Sequence, residues 1–175
     1  FQQEKDALFS GFAQILPVQD GSFWIALGGA DGLVGDKAGL GRLEEDGRVV
    51  WYRCAEGLVD TRIEGLCEDR EGCLWIATRG GISHFDGERF TNFTREEGLP
   101  VESLLCACCD RNGDLWFGAE NGVVHYDGKR FQIVHSSHIY GRVRQILEDR
   151  DGGLWFATDR GIVCYRTAQA APKMR

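Results

Sequence analysis

The sequence predicts an all-β propeller of four-stranded antiparallel blades, and three observations predict it. A stretch running Asp69-Arg70-Glu71-Gly72-Cys73-Leu74-Trp75 returns as Asp110–Trp116 and Asp149–Trp155, with a worn copy at Asp20–Trp24. The tryptophans Trp24, Trp75, Trp116 and Trp155 stand 51, 41 and 39 residues apart, near the period of a blade with one Trp per unit. Within each period, short apolar runs alternate with Gly and Asp-Gly turn signals, and nothing keeps helical periodicity over a useful length.

The first unit has runs at Phe12–Leu16 and Phe23–Leu27, an insertion at Gly28–Gly39, then Leu40–Leu43, the turn Asp46-Gly47 and Val49–Tyr52. The second has Ile63–Cys67, the turn Asp69–Gly72, Leu74–Ala77, a break at Arg79-Gly80-Gly81, Ile82–Phe85, the tight turn Asp86-Gly87, and Arg89–Phe93. The third has Leu104–Cys108, Leu115–Gly118, Val123–Tyr126, the turn Asp127-Gly128 and Arg130–Val134. The fourth has Val143–Leu147, Leu154–Thr158 and Ile162–Tyr165 and then stops, which leaves residues 167–175 as a frayed tail.

The start of the chain offers the missing strand. Phe1 precedes Phe12 by 11 residues, against 14 from Phe90 to Leu104 and 12 from Phe131 to Val143. Phe1–Gln3 is therefore a candidate fourth strand for the last blade, and residues 1–166 read as a single propeller domain. Closure removes exposed sheet edges. Three closures fit: a four-bladed ring, half of an eight-bladed homodimeric ring, or part of a larger propeller.

Composition bounds the function. With 175 residues, 43% of them hydrophobic and 11% aromatic, the chain is one domain with a sizeable core. A net charge of −7 and the absence of a basic stripe argue against a nucleic-acid partner. No apolar run approaches the roughly 18 to 20 residues that span a membrane, so direct insertion is not expected. Phe1–Asp6 does not read as a signal peptide. The seven cysteines, at 54, 67, 73, 106, 108, 109 and 164, are odd in number and lack a paired framework, which points to reduced core thiols and a reducing, cytoplasmic compartment or an anaerobic habitat.

Each residue of the repeat has a structural task. Asp69, Asp110 and Asp149 end a strand, where a carboxylate accepts backbone N–H groups inside the turn. Gly72, Gly113 and Gly152 supply positive φ. The Leu-Trp-Ile/Phe run fills the space between blades. Carboxylates that serve every blade are turn anchors rather than catalysts, and no catalytic residue is expected among them.

The pattern Glu-Asp-Arg-x-Gly-x-Leu-Trp-Ile/Phe-Ala-Thr, then Gly-Ile/Val, aromatic-Asp-Gly-x-Arg-Phe and Glu-Gly-Leu-Pro, resembles the two-component regulator propeller repeat. It covers Arg62–Tyr165 well and Phe12–Tyr52 loosely, since Val18 stands where Asp69 stands and Phe23 replaces the Leu. The resemblance implies an extracytoplasmic sensor region of the kind found in hybrid histidine kinases, often linked to carbohydrate sensing. That location conflicts with the one the cysteines suggest. Nothing in the chain resembles a kinase, receiver or DNA-binding module, so the resemblance implies an input region or a stand-alone relative.

Binding residues are expected where the repeats differ. In a four-strand meander the second connection of each blade and the links between blades share one end, and variable loops on a rigid scaffold carry binding groups. That end brings Arg62, Thr78, Arg79, Glu120, Asn121, Tyr140, Arg142, Asp159 and Arg160 as candidate contacts for a small molecule, glycan or protein, together with the insertion 28–39. On the innermost strands Gln14, Gly65, Cys106 and Gln145 align, as do Ala13, Glu64, Leu105 and Arg144. Glu64, Arg144 and Gln145 are candidate channel-lining groups.

No metal or other cofactor is expected. Alternation splits Cys106-x-Cys108-Cys109 between two faces, and His84, His125 and Cys164 sit on third strands that diverge between blades. His135 and His138 flank an inter-blade link as a candidate pH-sensitive or ligand-contacting pair. The leading function is a non-catalytic ligand-binding or sensory module. The alternatives are a propeller enzyme, a lyase or glycan-active one, with its site on the variable-loop face, and a protein-interaction scaffold.

Overall fold

The computed structural model describes residues 12–27, 38–44, 46–134 and 139–166. Phe1–Gln3, nearly all of the insertion 28–39, His135, His138 and the tail 167–175 lie outside them. Among the described residues, fifteen strands form four antiparallel sheets. Blade 1 holds β1 (Phe12–Pro17), β2 (Phe23–Leu27), β3 (Gly39–Leu43) and β4 (Val49–Tyr52). Blade 2 holds β5 (Ile63–Glu68), β6 (Leu74–Thr78), β7 (Ile82–Phe85) and β8 (Phe90–Phe93). Blade 3 holds β9 (Leu104–Cys109), β10 (Leu115–Ala119), β11 (Gly122–Tyr126) and β12 (Phe131–Val134). Blade 4 has three described strands, β13 (Val143–Glu148), β14 (Leu154–Thr158) and β15 (Gly161–Tyr165). Each sheet runs in chain order, and β1, β5, β9 and β13 are successive neighbours on the inner side.

The Asp turns work as their chemistry requires. In blade 2, Oδ1 of Asp69 accepts the N–H groups of Glu71 and Cys73 at 3.1 and 2.8 Å, and Gly72 turns at φ 81°. Oδ2 accepts the indole N–H of Trp75 at 2.7 Å, so one carboxylate fixes both the turn and the aromatic ring. Asp110 and Asp149 repeat the arrangement with Trp116 and Trp155. In blade 1, Val18 holds the backbone position of Asp69 through its N–H to Ser22, and Asp20 supplies the missing carboxylate to the Ser22 N–H and hydroxyl.

Packing lies between blades. Three core clusters fill the three spaces between four sheets: Trp24 with Ile63, Ile76 and Phe85; Trp75 with Leu104 and Phe117; Trp116 with Val143 and Phe156. Both faces of β6 and β10 are therefore buried, which is why strict alternation is absent from their sequences. A short 3-10 turn at Cys54–Glu56 and a turn at Thr94–Leu99 lead to the next blade, and each delivers a buried leucine, Leu58 or Leu99, to the core.

Inner strands approach each other at backbone distance. A Cβ on Gly65 would stand 2.7 Å from Ala107 N and Cys106 Cα. Gln14, at the same register, clasps the next blade: its amide donates to Leu66 O at 3.0 Å and accepts the Leu66 N–H at 2.7 Å. All four inner strands carry an irregularity at one level, beside Ala13, Glu64, Leu105 and Arg144. A bulge re-aims the side chain it carries, and this one sits toward the variable loops.

Candidate functional site

In blades 2 and 4 the second connection is hydrogen-bonded to the link that precedes the blade. Arg79 N–H donates to Arg62 O and Asp159 N–H to Arg142 O, both at 3.2 Å. The β6–β7, β10–β11 and β14–β15 loops and the inter-blade links thus share one end.

There the charged side chains join across three blades. Glu64, raised on the bulge of β5, accepts from Arg79 Nε at 2.7 Å. Arg79 faces Glu120 of the next blade at 3.8 Å, and Glu120 pairs with Arg142 at 2.5 Å. Asp159 holds Arg142 in place by accepting its N–H at 3.1 Å. Beside this chain lies a hollow of about 320 Å³ lined by Arg79, Arg95, Glu102, Ser103, Glu120 and Asn121. Arg95 pairs with Glu102 at 3.4 Å across it. The rim so presents guanidinium donors, carboxylate acceptors and an amide at alternating positions.

The expected residues do not all converge. Thr78 is buried; its hydroxyl donates to Gly81 O at 2.8 Å and accepts the Gly80 N–H, so it is a turn residue, and its burial withdraws it from ligand contact. Arg62 is turned to Asp60, with Nη2 to Oδ2 at 2.7 Å, away from the hollow's lining. Tyr140 and Arg160 are exposed and stand outside the lining too. Arg95 is the residue the sequence reading missed. Its signal was the Thr94-x-x-Glu97 spacing, which closes a capping box through Thr94 N–H to Glu97 Oε2 at 2.9 Å and fixes the turn carrying Arg95.

The inner strands enclose a concavity of about 740 Å³ that Glu64, Arg144 and Gln145 line, along with four cysteines. Glu64 therefore belongs to both the concavity and the rim. Burial pushes the Cys106 thiol up to about 12 and those of Cys108 and Cys109 up to about 11, so all three stay protonated at neutral pH. Cys106 donates to Val143 O at 3.6 Å, a contact between blades. His84 and His125 lie against the tryptophan of their own blade, at ring distances of 4.5 and 4.3 Å. Cys164 pairs across strands with Trp155.

The model of the two component regulator propeller repeat matches residues 57–80, 98–121 and 137–160. Among solved structures, the chain is similar to the extracellular domain assigned to the hybrid two component system BT3049 of B. thetaiotaomicron, at 20% identity and TM-score 0.74 over 90% of this chain and 22% of that one. It is similar to the extracellular domain of BT4673 from the same organism at 22% identity and TM-score 0.70, over 95% of this chain and 23% of that one. A virginiamycin B lyase from Staphylococcus aureus, solved with quinupristin, matches at 17% identity and TM-score 0.68, over 93% of this chain and 58% of that one. These likenesses show the fold. The chain spans under a quarter of the length of the two extracellular domains. Comparison with curated proteins yields no match.

Proposed function

We propose that this chain, three segments of which (57–80, 98–121 and 137–160) match the two component regulator propeller repeat, is the ligand-binding part of an extracytoplasmic sensor, with a glycan or other polyhydroxylated small molecule as its ligand. The observation that carries the reading is the charged chain Glu64–Arg79–Glu120–Arg142 beside its hollow. Sugar hydroxyls both donate and accept, so a rim alternating guanidinium, carboxylate and amide groups suits them. Each carboxylate on the rim is held by an arginine, an arrangement for recognition rather than for proton transfer. The extracellular neighbours support the location. The cysteines do not require a reducing space, because only Cys54 and Cys164 are exposed.

Calorimetric titration of the protein with neutral oligosaccharides tests the reading. Saturable binding is expected, weakened in Glu120→Gln and Arg79→Gln while both variants keep the wild-type circular dichroism. Binding that survives both substitutions, or conversion of a bound oligosaccharide to product, would overturn it.

A further inference from the structure

On the face of blade 2 that carries Trp75, three donors of different chemistry meet. The carboxylate of Asp69, the thiol of Cys73 and the imidazole of His84 place their ligand atoms within 4.8 Å of one another. The register explains why. Trp75 and His84 are cross-strand partners on β6 and β7. Cys73 lies two residues before Trp75 and so on its side of the chain. Asp69 is tied to the same indole.

The acceptor count leaves Asp69 one place open. A carboxylate offers about four lone-pair positions, and Asp69 uses three, for the N–H groups of Glu71, Cys73 and the Trp75 indole. The remaining position is on Oδ2, the oxygen that faces His84 Nε2 at 4.0 Å, too far for a hydrogen bond. Among the described residues, neither the Cys73 sulfur nor the His84 ring takes part in a hydrogen bond. Other blades fill the same positions differently. In blade 1 Arg42 bonds Ser22 and Asp20, and in blade 3 His125 Nε2 stands 3.1 Å from a carboxylate, Asp114, without a hydrogen bond, where blade 2 has a thiol. Among the described residues, blade 2 alone gathers sulfur, nitrogen and oxygen donors around one point in this way.

We propose that Asp69, Cys73 and His84 bind a zinc ion, with its fourth position taken by water. Zinc accepts this mixed donor set in tetrahedral geometry, with bonds of about 2.0–2.3 Å and donor–donor edges of about 3.3–3.8 Å. The cluster thus has to contract by about an ångström, within reach of side-chain rotation at Cys73 and His84. Burial, followed by the carboxylates of Asp69, Asp86 and Glu71, raises the Cys73 thiol. Those same carboxylates favour a cation, and a divalent ion reverses the thiol's preference: the sulfur gives its proton to solvent and the thiolate bonds the metal. The ion would staple the Asp turn to β7 at the interface where Trp75 packs on Tyr126 at 5.4 Å. This is the Asp-turn end of the blade, remote from the loops that carry Arg79 and Glu120, so the assignment does not rest on the proposed ligand site.

Cobalt titration of the reduced, metal-free protein tests the site. A thiolate-to-cobalt charge-transfer band is expected, saturating at one ion per chain, displaced by zinc and accompanied by release of one proton. It should vanish in Cys73→Ser, weaken about tenfold or more in His84→Gln, and persist in the Cys54→Ser/Cys164→Ser double variant. Absence of the band overturns the proposal, as does a band that survives Cys73→Ser, which would put the ion on other thiols. Should Cys73→Ser lose its fold by circular dichroism, His84→Gln decides: an unchanged affinity there rejects the site.

Discussion

Trp116 and Trp155 hold the same place in successive blades, yet one is 3% exposed and the other 40%. Each donates its indole N–H to the aspartate six residues before it, at 2.9 Å to Asp110 and 2.7 Å to Asp149. The difference lies in the cover each ring receives. Trp116 is roofed by Phe156 and Tyr165 of blade 4, at ring distances of 6.3 and 5.8 Å. Leu147, the cross-strand partner of Trp155, is itself open to solvent, as is Ile162 on β15.

Truncation should separate the two tryptophans. Trp116→Ala removes a buried ring from a core cluster and is expected to cost about 3–5 kcal/mol. Trp155→Ala should cost clearly less, because its ring has less area to lose from burial. Urea denaturation of the two variants reads the gap. Equal losses would mean that another surface covers Trp155 in solution.

Gly65 should resist any side chain. A Cβ there would stand 2.7 Å from the backbone of β9, and at Gly118 it would meet Val143 O and the Cys106 sulfur. Neither glycine has positive φ, so space between inner strands is the constraint. Gly65→Ala and Gly118→Ala should each destabilise by about 1–3 kcal/mol through overpacking. Gly87→Ala, with nothing within 4 Å but φ 97°, probes backbone strain alone and should cost about 1 kcal/mol. A neutral Gly65→Ala in thermal melts would refute the close approach.

The strands and their order were legible in the sequence because each is a local event. The Asp-x-x-Gly turn, the apolar run and the Asp-Gly turn lie within a few residues, and the strands end within about a residue of the expected limits, as with Ile63–Glu68 against Ile63–Cys67. Side chains that act between blades were less visible. The clasp of Gln14 on Leu66 joins residues 52 apart, and the pair Arg111–Glu148 joins residues 37 apart. Their geometry depends on how far two inner strands approach, which no local pattern encodes. The same holds for the site: the end of the molecule was legible from the meander, whereas the burial of Thr78 and the meeting of Arg79 with Glu120 depended on the packing of whole blades.

Acid should remove a defined part of the stability. The hydroxyl and N–H of Ser22, aided by Arg42, hold the Asp20 carboxyl below its ordinary value of 3.8. Burial pushes Asp60 up, but the hydrogen bonds and charge of Arg62 outweigh it and leave Asp60 below 3.8 as well. A carboxyl whose folded pKa is depressed contributes stability that is fully present above its unfolded pKa and is lost as pH falls through the folded one. The stability gap between wild type and Asp60→Asn should therefore hold steady at neutral and mildly acidic pH and narrow below 3.8. Chemical denaturation at a series of pH values measures it. A gap that is unchanged well below 3.8 would show that the Asp60–Arg62 pair adds nothing beyond what the amide supplies.

Apart from Cys73, the thiols should react in two classes. Cys54, in the 3-10 turn, and Cys164, on β15, are exposed. Cys67 and Cys106 are buried, and burial raises both thiols, Cys106 to about 12. Cys108 and Cys109 stand at about 11 for the same reason, with neighbouring negative charges adding to it. Because the thiolate is the nucleophile, a raised thiol is slow even where a reagent can reach it. Brief treatment of the native protein with iodoacetamide near neutral pH should label Cys54 and Cys164 first, as read by peptide mass spectrometry, and urea should open the rest. Labelling of Cys67 or Cys106 at the rate of Cys54 would mean that the inner strands β5 and β9 part readily, against the close approach of their backbones at Gly65.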